Sequence, residues 1–185
     1  MLKDIYKEAE TRMKGAIQSL EEDFGGIRTG RAHPALIEKL HVDYYDIPTP
    51  LMQLASISVP EPRQLLIRPF DASTLKTIER AILASDLGLT PNNDGKAIRL
   101  NLPPLTEERR RDLVRMVHHR AEEGRVAVRN VRRDVHNDLR EFEKEKIISE
   151  DELKRGEEDL QKMTDKMIEK VDELSKRKEG EIMEV

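Results

Sequence analysis

The chain has no cysteine and no tryptophan, and aromatic residues make up only 3% of its 185 positions. Zero cysteine excludes a disulfide framework and a thiolate metal site, and suits a reducing compartment. Scarce aromatics favour long helices and small cores over a β-sandwich throughout. No apolar run reaches the length of a membrane span, so no partner membrane is expected. The N-terminus, Met1-Leu2-Lys3-Asp4-Ile5, enters an amphipathic pattern at once, with no signal peptide expected before it. Proline is missing from both ends. All nine prolines fall at 34, 48, 50, 60, 62, 69, 91, 103 and 104. The expectation is a soluble, cytoplasmic protein.

Charge is abundant, at 38% of residues. Three proline-free stretches carry it on helical patterns. Leu2, Ile5, Tyr6, Ala9, Met13, Ala16, Ile17, Leu20, Phe24 and Ile27 recur at steps that keep one helix side apolar. A second stripe runs Leu113, Val117, Ala121, Gly124, Val128, Val131, Val135, Leu139 and Phe142. A third runs Leu153, Leu160, Met163, Met167, Val171, Leu174 and Ile182. Thr106 stands as N-cap of the second helix, behind Pro103-Pro104. Ser149 and Glu152 have the spacing of a capping box at the start of the third. Helices this long point to an antiparallel three-helix bundle. Gly124, within the second stripe, would let a neighbouring helix approach closely.

The second helix holds the most unusual charge pattern. Residues 109–140 contain ten arginines and no lysine, against five acids, a balance of +5. The whole chain is at −4, so everything else carries −9. Arg125, Arg129, Arg132, Arg133, His136 and Arg140 share one side of this helix. Guanidinium groups suit bidentate contact with phosphate oxygens. The row reads either as a grip on a polyanion or as a solvated face laced with pairs such as Glu122 and Arg125.

Residues 32–103 follow other rules. β-type runs appear at Leu36–Tyr45, Ala55–Val59, Leu65–Ile67 and Ala97–Leu102. Asn92-Asn93-Asp94-Gly95 is a turn signal. One helix is expected over Ser73–Ser85, with Leu75, Ile78, Ile82 and Leu83 facing a core. Of Tyr44 and Tyr45, one should point inward and the other out. The class is α+β with two domains. A bundle of residues 1–29 and 106–185 is interrupted by a small α/β unit of 32–103, a sheet plus one helix. Two connections cross between them, at 29–32 (Thr29, Gly30, Arg31, Ala32) and 103–106 (Pro103, Pro104, Leu105, Thr106). Gly30 is free in φ and ψ, whereas Pro103-Pro104 is stiff. Together they predict a restricted hinge.

Nothing points to catalysis. Gly88 and Gly95-Lys96 do not have the spacing of a phosphate loop, and Ala97 stands where a magnesium-binding hydroxyl belongs. His118 and Glu122 at i, i+4 make a weak metal pair at best. No enzyme, no metal and no cofactor are expected. A coiled-coil scaffold remains a rival reading, as does an RNA-handling enzyme whose catalytic pocket would have to lie in 31–104.

Several strings are more specific. Ile27-Arg28-Thr29-Gly30-Arg31-Ala32 ends the first helix. Val42-Asp43-Tyr44-Tyr45 leads to Pro48-Thr49-Pro50-Leu51, then Ala55-Ser56-Ile57-Ser58-Val59. Ala84-Ser85-Asp86-Leu87-Gly88-Leu89 closes the small helix. Leu105-Thr106-Glu107-Glu108-Arg109-Arg110 and Val126-Ala127-Val128-Arg129-Asn130-Val131-Arg132-Arg133-Asp134 belong to the second long helix. In order and across essentially the whole chain, these resemble the bacterial ribosome recycling factor family. The resemblance implies an L-shaped, tRNA-like monomer that splits the post-termination 70S ribosome. It implies large-subunit ribosomal RNA as one partner and elongation factor G, which consumes the GTP, as the other. Its RNA-contacting arginines carry onto Arg110, Arg129, Arg132 and Arg133, and Arg28 and Arg31 match basic positions beside the hinge. The chain departs from the family at Asp46, where glycine often follows the paired tyrosines, at Gly25-Gly26 and at His33.

Overall fold

The computed structural model describes residues 1–184. In chain order the elements are α1 (Leu2–Gly25), β1 (His41–Tyr44), β2 (Ile47–Pro50), α2 (Leu51–Leu54), β3 (Ala55–Glu61), β4 (Gln64–Pro69), α3 (Leu75–Ala84), β5 (Pro91–Asn93), β6 (Ile98–Asn101), α4 (Glu107–Lys144) and α5 (Glu150–Met183). They form two compact units. One joins Met1–Phe24 to Val114–Gly180, and the other joins Gly25–Leu113 to residues 181–184.

The first unit is a bundle of the three long helices. Their apolar stripes meet: Ala9, Met13, Ile17, Leu20 and Phe24 of α1 are buried with Val117, Ala121, Val128, Val135 and Leu139 of α4 and Leu160, Met167 and Val171 of α5. Direction follows from the pairs. Arg12 meets Asp134 at 2.8 Å and Asp23 meets Arg120 at 3.7 Å, so α1 and α4 run antiparallel. His118–Glu179, Arg125–Asp172 and His136–Glu157 set α4 antiparallel to α5. Small residues hold the close approaches. A Cβ on Gly124 would stand 3.3 Å from Leu20, and one on Gly156 would run into the Tyr6 hydroxyl and stand 3.3 Å from Leu139.

Local chemistry starts and stops these helices. The Thr106 hydroxyl accepts from Arg109 N–H at 3.1 Å at the start of α4. At the start of α5, Ser149 N–H donates to the Glu152 carboxylate at 2.8 Å and Glu152 N–H donates back to the Ser149 hydroxyl at 3.2 Å. Between them, Ile147 N–H bonds the Phe142 carbonyl and Lys146 N–H bonds that of Glu143. With Lys146 at φ +60°, this is a Schellman termination, carried by lysine where glycine is usual.

The second unit packs α3 against strands. β3-β4-β6-β5 form a four-stranded antiparallel sheet, with a separate β1–β2 hairpin. Its core is built on Ile37, Val42, Leu51, Leu65, Ile67, Ile78, Ile82, Ile98 and Leu100. The strand expected over Leu36–Tyr45 is shorter. Pro34–Leu36 form a single 3-10 turn, begun by the His33 imidazole accepting from Ala35 N–H, and pairing starts at His41. The helix expected at 73 begins at Leu75, after a 3-10 turn capped by Asp71. Leu83 is 60% exposed, contrary to its expected core place. Leu75, Ile78 and Ile82 already complete the buried face one turn apart, and Leu83 falls outside it. β2 and β5 carry no strand signal along the chain, because prolines at 48, 50 and 91 mask short edge pairing, and the four-residue α2 is too short to show helical periodicity. Tyr44 is half-buried against the core and Tyr45 is 78% exposed, but Tyr45 lies past the end of β1, in the hairpin turn at φ +50°, so the turn and not strand alternation sets its exposure.

Candidate nucleic-acid interface

The arginine row of α4 lies beside α5, and the bundle draws acids to it. Arg125 and Arg132 are its half-buried arginines, Arg125 with 24% of its side chain exposed. Arg125 bonds Asp172 of α5 at 2.7 Å and Glu122 of its own helix at 3.1 Å. Burial works against its charge, but these hydrogen bonds outweigh that and raise its pKa. Glu122 also takes Arg129 at 3.3 Å. The hydrogen bond from Arg125, helped by Arg129, pulls the Glu122 carboxyl below its usual range. Arg133 donates to the Asn130 amide oxygen at 3.0 Å. His136 pairs with Glu157 at 2.9 Å. Arg132 and Arg140 have neither an ion pair nor a side-chain hydrogen bond among the described residues.

This arrangement sorts the row. Arg125 and His136 act as cross-helix pins. Arg129 is shared with an acid but half-exposed. Arg132, Arg133 and Arg140 keep guanidinium donors available on a rigid helix, which is the geometry a phosphate backbone accepts. The α5 acids that pair with α4 are Glu157 and Asp172 at these two pins and Glu179 at His118. Their separations of 15 and 7 residues put them on one helix side, a signal visible in the sequence but meaningless until α5 has a neighbour.

The remaining arginines belong to the second unit. Arg28 directs Nη2 to the Pro103 carbonyl, and its Nε is buried without a partner. Burial first, and the charge of Arg109 second, lower its pKa. Arg110 is half-buried, and its Nε is likewise buried and unpartnered. Arg31 reaches Glu184 at 3.5 Å. The Thr29 hydroxyl accepts from Arg31 N–H at 3.3 Å and donates to the Arg31 carbonyl at 3.2 Å, closing a tight local turn. Gly30 sits 3.7 Å, measured from where a Cβ would be, from the Glu184 carbonyl oxygen. Ala32, Leu102 and Leu105 are buried, whereas Pro103, Pro104 and Thr106 are exposed. Arg109, present in a family string but not among the expected RNA contacts, acts on Arg28 through its charge.

No group of three metal-ligating side chains occurs among the described residues, and no described helix is long and apolar enough to cross a membrane. His118, considered as half of a metal pair with Glu122, bonds Glu179 at 3.1 Å instead.

Known proteins resemble this chain over its full length. The family model described as ribosome recycling factor matches residues 20–183. The ribosome-recycling factor of Carboxydothermus hydrogenoformans is 55% identical over 185 residues, covering 100% of both chains. That of a Geobacillus species is 54% identical over the same span, again covering 100% of both. Among solved structures, a solution structure of the ribosome recycling factor superposes with a TM-score of 0.78 at 48% identity, over 100% of this chain and 98% of that one. A second comprises models for the T. thermophilus ribosome recycling factor and the E. coli elongation factor G bound to the E. coli post-termination complex. It gives a TM-score of 0.69 at 49% identity, with 100% of both chains covered. A long three-helix bundle interrupted by a small sheet-and-helix unit, with matches of this extent, places the chain in the ribosome recycling factor family.

Proposed function

We propose that the protein is a non-enzymatic translation factor that splits the post-termination 70S ribosome together with elongation factor G. The observation that carries this reading is the full-length match to a relative bound, with elongation factor G, to a post-termination complex. GTP is then consumed by the partner, and this chain needs no cofactor of its own. It works in the cytoplasm as a monomer.

In this reading the bundle, residues 1–29 and 106–185, holds large-subunit ribosomal RNA. Arg129, Arg132 and Arg133 supply the central phosphate contacts, and Arg110 adds one near the start of α4. Arg125, Arg28 and Arg31 already serve internal partners, so their contribution is smaller. Scarce exposed aromatics leave phosphate contact and RNA shape as the basis of recognition. The unit of residues 32–103 receives elongation factor G, and its motion passes through Thr29–Ala32 and Pro103–Thr106. A scaffold role fits less well, because Arg132 and Arg140 lack the acidic partners that a solvated, self-neutralised face would supply.

The experiment is splitting of purified post-termination ribosomes, followed by light scattering with elongation factor G and GTP. Wild-type protein should split them, and Arg132→Ala should do so slowly. Binding of Arg132→Ala to large subunits should fall, with a salt slope shallower by about one unit, the expected loss of one phosphate contact. Its folding stability should stay within about 0.5 kcal/mol of wild type. Arg125→Ala should show the reverse balance, with stability down by about 1 kcal/mol through the lost pair to Asp172 and a smaller effect on binding. Wild-type binding by Arg132→Ala at every salt concentration would remove the arginine row from the function.

A further inference from the structure

The β1–β2 hairpin carries an apolar ledge that runs from the core of the second unit into solvent. Tyr44 packs on that core. The Tyr45 ring meets Tyr44 edge-on, with centroids 4.6 Å apart and planes at 73°. Ile47 pairs with Tyr44 across the hairpin and so shares its side of the ladder. Tyr45 is 78% exposed and Ile47 65%. The inner end of the ledge is anchored and its outer end is bare.

The turn holds its ring in a strained place. Tyr45 and Asp46 occupy φ +50° and +63°, where a two-residue type I′ turn favours asparagine and glycine. A bulky aromatic rarely enters this region, because its Cβ crowds the following carbonyl. Two of the chain's three tyrosines nevertheless stand here. Backbone strain of this kind clusters where a side chain has to be presented to a partner.

Charge narrows the partner. Residues 40–62 contain no lysine or arginine, in a chain that has 33 of them, and carry Asp43, Asp46 and Glu61. Asp43 and Asp46 are exposed beside the ledge, and neither carboxylate has an ion pair among the described residues. A phosphate backbone would meet two uncompensated negative charges, so RNA is disfavoured here. Aromatic and aliphatic anchors beside unpaired acids are complementary to a protein pocket with an apolar floor and a lysine or arginine rim. The arginine row of α4 and this hairpin thus suit partners of opposite kind.

We infer that Tyr45 and Ile47 anchor elongation factor G on the second unit, with Asp43 and Asp46 facing basic residues of that partner. The inference rests on the reading of this unit as the receiver of elongation factor G and gives that reading its contact residues. Because Tyr44 stands on the core, force applied to the ledge passes to the whole unit and is not absorbed by a loose loop.

The test is ribosome splitting by the full chain, followed by light scattering with GTP and elongation factor G below saturation. A double variant, Tyr45→Asn with Ile47→Thr, removes the anchor. Asparagine fits the turn better than tyrosine and threonine keeps a strand-forming shape, so the fold should persist in urea unfolding followed by circular dichroism. Splitting should slow about tenfold, the effect of losing one aromatic anchor, while binding to ribosomal subunits without elongation factor G stays as in wild type. Asp46→Lys should slow splitting severalfold, and most at low salt, where repulsion from a basic rim is least screened. Lys146, at φ +60°, shows that lysine is accommodated by this backbone conformation. Splitting by the double variant at the wild-type rate overturns the anchor. Weaker binding of the double variant to subunits alone assigns the ledge to a ribosomal protein and overturns elongation factor G as its occupant. Tighter subunit binding by Asp46→Lys assigns it to RNA and overturns the inference likewise. Should the double variant unfold, Asp46→Lys decides: a wild-type rate at every salt concentration overturns the inference. The underlying reading fails differently, as wild-type protein that splits no ribosomes at any concentration of elongation factor G, and the inference then falls with it.

Discussion

Gly156 offers the sharpest check on the bundle. It sits inside α5, where alanine would be favoured by about 1 kcal/mol on helix propensity alone. Its missing side chain is where Tyr6 of α1 puts its hydroxyl, and Leu139 of α4 stands 3.3 Å away. An added methyl must push the tyrosine aside. Overpacking of this kind costs about 1–3 kcal/mol. Gly156→Ala should therefore be neutral to about 2 kcal/mol destabilising. Gly15, in α1, is the control, since a Cβ there meets nothing within 4 Å. Gly15→Ala should stabilise by the full ~1 kcal/mol. Urea unfolding followed by circular dichroism gives both values. A Tyr6→Phe background removes the colliding oxygen, so Gly156→Ala should recover at least about 1 kcal/mol there, a coupling expected only of residues in contact. Equal stabilisation by Gly15→Ala and Gly156→Ala, with no dependence on Tyr6, would refute the three-helix register.

Two further perturbations address the local signals. Tyr45 and Asp46 form the two-residue turn of the β1–β2 hairpin at φ +50° and +63°, a type I′ geometry that glycine accepts without strain. Asp46→Gly should stabilise the protein by about 0.5–1 kcal/mol in thermal or urea unfolding, and a loss would contradict this turn. Glu152 is held below its usual pKa of 4.5, first by the Ser149 N–H and then by the Ser149 hydroxyl. Its contribution is therefore present above the unfolded-state value and is lost as pH falls through the folded one. Glu152→Gln preserves a capping partner without titrating, so its melting temperature should fall less than that of wild type from about pH 6 to about pH 3. Parallel acid curves for the two proteins would remove Glu152 from the acid response.

Much of the fold was legible along the chain because the forces that set it are local. Helical periodicity marks α1, α4 and α5, since each must hide one side from water. Thr106, Ser149 and Glu152 mark helix starts because their side chains satisfy backbone donors within four residues. The family strings and the confinement of proline to 34–104 mark the interruption. The arginine row is likewise a matter of spacing within one helix.

What spacing cannot convey is the company each residue keeps. Only packing shows that Asp172 and Glu157 of α5 occupy Arg125 and His136 while Arg132 stays clear. It also decides that Gly156 faces Tyr6, that Leu83 stays in water, and that residues 181–184 join the second unit. The crossing of Arg28 to Pro103 joins positions 75 residues apart. Such contacts are absent from any window of sequence, because their energy comes from burial and charge brought together after the helices and strands have formed.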